Sequence, residues 1–372
     1  MSLPKVDIQI QTGALGRFTD VGGGKAGIVV LMAAADEPVG HVFGEVKPYS
    51  HLIDMPLKLQ AVKALQLYFS LADGASAYIL PVVDTTTIAN VVALAHASHF
   101  AEKLIEASNE IKFIGVIGTQ LLATLPTAIT NAQALGASYV SKMRPVITIL
   151  PYSFITADVV PSQATASNDR VGVVISYAGD EVGLVIGKLA SLPVQRNIGR
   201  VKDGALPISA AILDGAANPK KDVAQNMSVV ETLHGKSYIT IRTIVGKSGY
   251  YFTDDLLANT PGDFSNIANR RVIDKAMVIC YNTYVEEINN EVQLTANGKM
   301  NPGVIKALQG SIENSINNQM TANNEISSVT AFVDETQNVL STQKIEVVVK
   351  IIPVGYSKEI VVKLGFSNPV TA

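Results

Sequence analysis

Four glycine–lysine pairs, Gly24-Lys25, Gly187-Lys188, Gly235-Lys236-Ser237 and Gly246-Lys247-Ser248, most invite a chemical reading, as loops that cradle a phosphate. Such a loop needs another glycine five positions before the second one, so that its backbone can curl around the phosphate, and a helix opening after it. Those positions hold Thr19, Val182, Val230 and Ile241. Gly246-Lys247-Ser248-Gly249 runs into Tyr250-Tyr251 as a hairpin turn does. His96 and His99, with Glu102 one turn on, would share a helical face and reach a metal together, although two imidazoles three apart are commonly solvated. No serine sits in a nucleophile elbow, and His41, His51 and His234 have no local partner pattern for acid–base work. Asp254-Asp255 and Glu286-Glu287 read as helix-start and solvated-face charges. Cys280 is the one cysteine and lies in Met277-Val278-Ile279-Cys280, which suits a buried structural thiol. These residues make no active site, so the expectation is a protein without catalytic residues, cofactor or metal.

The elements that would have to position a site point elsewhere. The chain has 372 residues, which suggests two domains or one with extensions. Hydrophobic residues make up 48% and charged residues 16%, against roughly 25% charged in an average soluble domain. Something other than water should therefore cover part of the surface. The longest purely apolar run, Ile28 to Ala35, is far short of the roughly 20 residues of a spanning helix, so no membrane insertion is expected. The first ten residues alternate apolar with polar and lack the core of a secretory signal. A net charge of -3 without a basic run argues against nucleic acid. Other protein copies remain, because interface cores are depleted in charge.

From Lys25 the chain alternates strand-like and helix-like stretches, the pattern of an α/β part with a mainly parallel sheet. Strands are expected at Gly27 to Ala33, Ser76 to Val83, Ile111 to Gly118, Pro145 to Leu150 and Arg170 to Tyr177, with crossover helices over Pro56 to Leu71 and Thr85 to Ser108. Gln195 to Asn226, rich in Gly, Pro, Asn and Lys, reads as a connection. An α+β C-terminal domain follows, with a strand at Ser237 to Val245 and helices over Asp263 to Glu291 and Pro302 to Gln319. The expected divisions are 1–24, an N-terminal arm and tether; 25–200, α/β; 201–342, α+β; and 343–372, a C-terminal β arm. Both arms alternate at period two: Val6, Ile8 and Ile10 at one end, and Ile345, Val347, Val349, Ile351, then Ile360, Val362, Leu364 and Phe366 at the other. Extended β-strand arms with half-apolar faces must pair with something, either their own sheet or a neighbour's.

Several stretches resemble the tail sheath proteins of contractile phages and related injection systems. Ala64 to Phe69, then Asp73-Gly74-Ala75-Ser76-Ala77-Tyr78-Ile79-Leu80, is similar to that family's helix, glycine turn and strand. Ile239 to Thr243 with Asp263 to Ile273, which includes Asn269-Arg270-Arg271, resembles its strand, loop and "N-x-R-R" helix start. Ile352-Pro353-Val354 with Ser357 to Val362 resembles its closing strand. Where the family has an aromatic "F-x-P-N" segment this chain has Glu287 to Glu291, the mark of a divergent member. The resemblance implies a virion structural protein assembled in the host cytoplasm into a contractile tail. It would polymerise helically with itself around an inner tube, join baseplate and tail terminator proteins, and link neighbours through its arms. Arg270, Arg271 and Lys275, clustered at one helix start, are the candidates to face the tube, the alternative being that they brace their own domain. An α/β ligand-binding enzyme and another tail or capsid protein are the competing readings.

Because all four glycine–lysine pairs lack the earlier glycine, millimolar ATP with magnesium should leave the melting temperature unchanged. A clear shift that disappears in Lys25→Ala or Lys247→Ala would restore the enzyme reading.

Overall fold

The apolar runs become the strands of one six-stranded sheet, seen in a computed structural model that describes residues 24–155, 158–177, 179–214, 220–358 and 360–362. These strands are β1 (Lys25–Met32), β2 (Lys47–Tyr49), β3 (Ala77–Val83), β4 (Ile111–Ile117), β5 (Ile147–Ser153) and, after the two-residue β6 (Ser167–Asn168), β7 (Val171–Ser176). Their order is β2-β3-β1-β4-β5-β7, and all pairs are parallel except β2 with β3. Parallel strands covered on both faces read as continuous Val/Ile runs without alternation, as β1 and β7 do.

Two glycines show how the faces are covered. A Cβ on Gly27 would meet Leu104 of helix α4 (Phe100–Glu106), and one on Gly115 would meet Val182 and Ile186 of helix α6 (Asp180–Ser191). Ile28 pairs with Gly115, so Gly27 and Gly115 point to opposite faces, and α4 and α6 lie on opposite sides. α6 also packs on α2 (Lys63–Leu71) so closely that a Cβ on Gly183 would lie 1.9 Å from the Ala64 carbonyl oxygen.

The chain divides into two compact units, one ending at Asn282 and one beginning at Thr283. The expected boundary at residue 200 falls inside the first of them. Residues 201–282 belong with the sheet: β8 (Ile212–Asp214), β9 (Lys221–Asp222), helix α7 (Met227–Gly235), the hairpin β10 (Ile241–Ile244) and β11 (Lys247–Phe252), β12 (Ala258–Asn259) paired with β6, and helix α8 (Ile267–Tyr284). Ile239 joins the outer edge of β7, donating to the Val173 carbonyl at 2.8 Å and accepting from the Ile175 amide at 2.9 Å. The Gly- and Pro-rich composition that suggests a linker comes from short elements covering a sheet edge.

Two expected crossover helices are interrupted. Pro56 to Leu71 divides into Leu57–Gln60 and α2, and Thr85 to Ser108 contains only Ile88–Val91 and α4. Helix α5 (Leu125–Ser141), α6 and α7 lie outside the helices expected from the sequence. α6 is buried from Val182 to Ala190, including Lys188, and its Gly183 and Gly187 read as helix breakers in the sequence.

The second unit is built on helix α9 (Pro302–Ile316), which Asn301 caps by accepting from the Gly303 amide at 2.8 Å. A π turn at Asn317–Thr321 leads to the antiparallel pair β13 (Ile326–Val333) and β14 (Val347–Pro353). Ile312, Ile316, Met320 and Ile326 are buried in this unit, and Met300, Ile305 and Val333 form a separate small core, with Leu308, Ile345 and Val347 packed against it.

Gly183→Ala should destabilise the first unit by about 3 kcal/mol or more, because the clash is with main chain and neither helix can yield alone. Gly310→Ala in α9, where an added Cβ meets nothing within 4 Å, should instead stabilise by about 0.5–1 kcal/mol. Urea unfolding of the two variants reads both signs.

Candidate assembly edge

The residues singled out for chemistry are dispersed. Lys25 pairs with Glu110 at 2.5 Å; Lys188 is buried within α6 and reaches the Asp203 carbonyl at 3.4 Å; Lys236 donates to the Val160 carbonyl at 2.8 Å. Lys247 opens β11, closing the expected hairpin turn opposite Ile244. His99 lies before α4 with φ 47° and contacts Glu102 at 2.5 Å, while His96 stacks on Phe100 at 5.5 Å, so the two imidazoles do not share a helical face. Cys280 is half-buried, and burial pushes its thiol pKa up.

Asp254 and Asp255 are buried, and both accept from the side-chain amides of Asn197 (2.5 and 2.6 Å) and Asn266 (3.2 and 2.7 Å). Asp255 also accepts from the Ala268 amide at 2.7 Å at the start of α8, so the pair serves a helix start from outside the helix's own sequence. Burial, and then the neighbouring Asp254 carboxylate, push the Asp255 pKa well above the usual range.

In a sheet of this order, the crevice between β1 and β4, where the chain reverses direction of winding, is the usual ligand site. Here the chain fills it. Gly179, at φ 87°, lies directly on the Gly118 main chain, with no room for a Cβ, and the Leu31 side chain covers Gly118 from the other strand.

Two of the three charged candidates for a tube contact turn inward. Arg170, whose side chain is 3% exposed, forms a bidentate pair with Asp274 at 2.9 and 2.9 Å. Arg270 donates to the same carboxylate at 3.0 and 3.1 Å and to Asp169 at 2.9 Å, and its guanidinium lies 4.7 Å over the Phe264 ring. Arg271 is buried, donating to the carbonyls of Leu189 (2.9 Å) and Leu192 (3.3 Å). Both arginines brace their own unit, and Lys275 is half-buried on the same helix.

What the structure does concentrate is strand edges. On the large sheet, the outer strand β2 is three residues long with Pro48 at its centre, and Ile239 covers β7. On β13, the Ala331 amide donates to Glu313 Oε1 at 2.7 Å and its carbonyl accepts from Gln309 Nε2 at 3.2 Å. Two side chains of α9, one turn apart, thus occupy the outer edge of β13.

Because Ala331 spends its main-chain groups on α9, its partner Val349 belongs to a pair without ladder bonds, and Val347 and Ile351 do likewise at period two. The amides of Val347, Val349 and Ile351 therefore point away from β13, along an edge that no other strand joins among the described residues. On the alternate face of β14, Val348 and Ile352 are 41% and 59% exposed with the exposed Lys350 between them, and Phe332 opposite Val348 is 59% exposed. An unpaired edge beside an uncovered apolar face is equipped to accept an extended segment.

Half of the expected C-terminal arm is paired within this chain. Val347 and Val349 pair at home with Val333 and Ala331, and Ile345 packs in the small core. The sequence missed β13, whose apolar Ile326, Val329 and Val333 break strict alternation. Ile360, Val361 and Val362 are 77%, 71% and 69% exposed and belong to no strand. Val6, Ile8, Ile10, Leu364 and Phe366 lie outside the described residues.

The family models described as DUF2586, N-terminal domain and DUF2586, C-terminal domain match residues 3–256 and 263–371. No curated protein sequence matches the chain. Three solved structures share the fold along nearly the whole chain. The baseplate of the anti-feeding prophage aligns at a TM-score of 0.62 and 15% identity, covering 99% of this chain and 100% of that one. The contracted helical sheath of the same particle aligns at 0.61 and 14%, with coverage of 99% and 100%. The contracted sheath complex of the extracellular contractile injection system PVC aligns at 0.59 and 11%, with coverage of 99% and 98%.

Asp274→Ala should leave two guanidiniums buried without their carboxylate and cost about 3–5 kcal/mol. Reversing Arg270 or Arg271 to Glu should unfold the first unit, visible as lost near-ultraviolet dichroism. A folded Arg270→Glu monomer that fails only in assembly would return that residue to the surface.

Proposed function

Because the chain belongs to the DUF2586 family and shares its fold from end to end with contractile sheath structures, we propose that it is a sheath subunit and not an enzyme. The full-length match carries this reading, since neither unit is an addition foreign to the sheath fold. The subunit would polymerise helically around an inner tube, bounded by baseplate and terminator proteins, in a particle assembled in a bacterial cytoplasm. Each subunit contact would be heterologous, with a rotation and rise that do not close a ring. Contraction would then be relaxation between two packings of the same lattice and would need no nucleotide. Among the charges named from the sequence, Lys275 is the remaining candidate to meet the tube. The competing enzyme and capsid readings have no comparable support.

Assembly would use the open edge of β14. A segment from a neighbouring subunit, Lys5 to Gln11 or the stretch from Ile360 to Phe366, would lie along the amides of Val347, Val349 and Ile351. Burying Val6, Ile8 and Ile10 would contribute roughly 1.5 to 3 kcal/mol each, whereas ordering the arm costs about 1 to 2 kcal/mol per residue. One arm is thus close to neutral alone. Growth would depend on many subunits held together at high effective concentration, on a tube or baseplate that templates it.

Val349→Pro tests the edge directly. Its amide points outward, so proline removes a bond to the incoming strand without removing one from the β13 ladder. The variant monomer should unfold within about 1–2 kcal/mol of wild type, yet form no sheath when co-expressed with tube and baseplate and viewed by negative-stain microscopy. Deleting residues 2–11 should give the same phenotype. Normal sheaths from Val349→Pro would remove β14 from the assembly mechanism, and a deletion that collapses the melting temperature would assign residues 2–11 to their own core.

A further inference from the structure

The two ends of the large sheet are closed to strand addition, and they differ in charge. Around β2 and β3, residues 33–84 carry six carboxylates against three lysines. Each lysine is already engaged: Lys47 with Glu45 at 3.0 Å, Lys58 with Asp36 at 2.5 Å and Lys63 with Asp180 of α6 at 3.6 Å. Asp73 faces His51 at 3.0 Å. Glu37 accepts from the Phe43 amide at 3.2 Å, and Asp54 and Asp84, both exposed, have no ion-pair partner among the described residues. The Lys58–Asp36 pair and the Asp84 amide, which donates to the Met32 carbonyl at 2.8 Å, hold these segments at one end of the sheet. Val39, Ile53 and Leu57 stand among them 90%, 80% and 81% exposed.

At the other end Ile239, on the outside of β7, leads into the layer of β8 to β11. Residues 196–252 carry eight cations against four carboxylates. Arg196 and Arg200 share Asp203 at 3.2 and 3.0 Å, and Asp214 is buried. Asp222 is engaged with the Ala211 and Ala224 amides and the Tyr250 hydroxyl, each at 2.9 Å. Glu231 is the one exposed carboxylate of this stretch. Lys221 of β9, Arg242 of β10 and Lys247 of β11 have no ion pair among the described residues, and the Tyr250–Asp222 bond and the β10–β11 pairing join their three strands. Val245, in the turn of the hairpin, is fully exposed.

We propose that these ends are the two halves of one contact between copies of this chain: the acidic β2 end of one subunit seats on the basic β9–β11 layer of the next. Glu37, Asp54 and Asp84 would meet Lys221, Arg242 and Lys247, with Val39, Ile53 and Leu57 covered beside Val245. Unneutralised charge of one sign on each face favours this pairing and opposes either face meeting itself, because like charges brought together are costly. The contact is therefore heterologous and propagates from copy to copy, as a lattice requires. That the partner is a second copy rests on the sheath reading; the contact itself is separate from the β14 edge, and being made by exposed charges it weakens with salt.

Charge exchange tests it. Lys221→Glu with Lys247→Glu should leave the melting temperature unchanged, since neither side chain has an ion pair to lose. Sheath yield on co-expression with tube and baseplate, counted by negative-stain microscopy, should fall about tenfold or more. Adding Asp54→Lys with Asp84→Lys to the same chain should restore it. Normal sheaths from the first variant, or no recovery in the second, overturn this contact alone, whereas no sheath from wild type defeats the sheath reading and the contact with it. Should a variant not fold, carbodiimide coupling of wild-type sheaths decides. Five strand spacings put the two ends roughly 25 Å apart in one copy, so an amide joining Asp54 or Glu37 to Lys221 or Lys247 must form between copies. Coupling of those lysines to the tube protein or to other carboxylates instead overturns the proposal.

Discussion

A β-strand edge presents amides and carbonyls that must be paired, covered or left to water, and this chain's architecture turns on how each edge is treated. The large sheet closes both of its own. Proline in the short β2 removes a donor where a foreign strand would dock, and Ile239 occupies the far side at β7. In the small unit the treatment is one-sided: Gln309 and Glu313 of α9 seal β13, while no described residue pairs with the outer edge of β14. One open edge gives an interaction a direction. Two would let the same strand recruit from both sides and favour uncontrolled stacking.

Charge is handled with the same economy. At 16% charged residues the chain can commit few groups to water, and several of those it has are internal. Asp274 accepts from both Arg170 and Arg270, and Asp169 takes the remaining arm of Arg270. A buried network of this kind adds little net stability over an apolar equivalent, but removing one member is severe. Its effect is positional, fixing α8 against β7 and α5 at a site where apolar contacts alone would permit sliding.

The sequence disclosed what depends on local composition. The five parallel strands are largely apolar runs and fall within three residues of the expected limits, because strands buried on both faces need only apolar character. Helix α6 was illegible for a related reason: the glycines that let it reach α2, Gly183 and Gly187, interrupt its apolar run and read as breakers. Apart from Asp274, one turn along the helix from Arg270, the partners of Arg270 and Arg271 could not be read, since Asp169, Leu189 and Leu192 lie about 80 to 100 residues away. β14 announced itself by alternation, but its pairing did not. Val347 and Val349 alternate equally well whether they meet a neighbour or Val333 and Ala331, and only the side chains of α9 decide which edge is left.

That division between home pairing and open edge bears on how a lattice could move without dissolving. A strand whose inner side is anchored by its own hairpin keeps the orientation of its outer amides when the subunit rotates, so an incoming segment need not re-form its bonds. An arm that left its subunit along its whole length would have no such reference, and its register would be set by the neighbour alone. The alternation in β14 places the docking amides on the residues whose side chains are half-buried, at Val347, Val349 and Ile351, the first of them against the small core. Slippage by one residue would turn those side chains out and the exposed Val348 and Ile352 in, so the small core defends the register of the edge. The unit is small, yet its core sets the geometry of the contact on which polymerisation would rest.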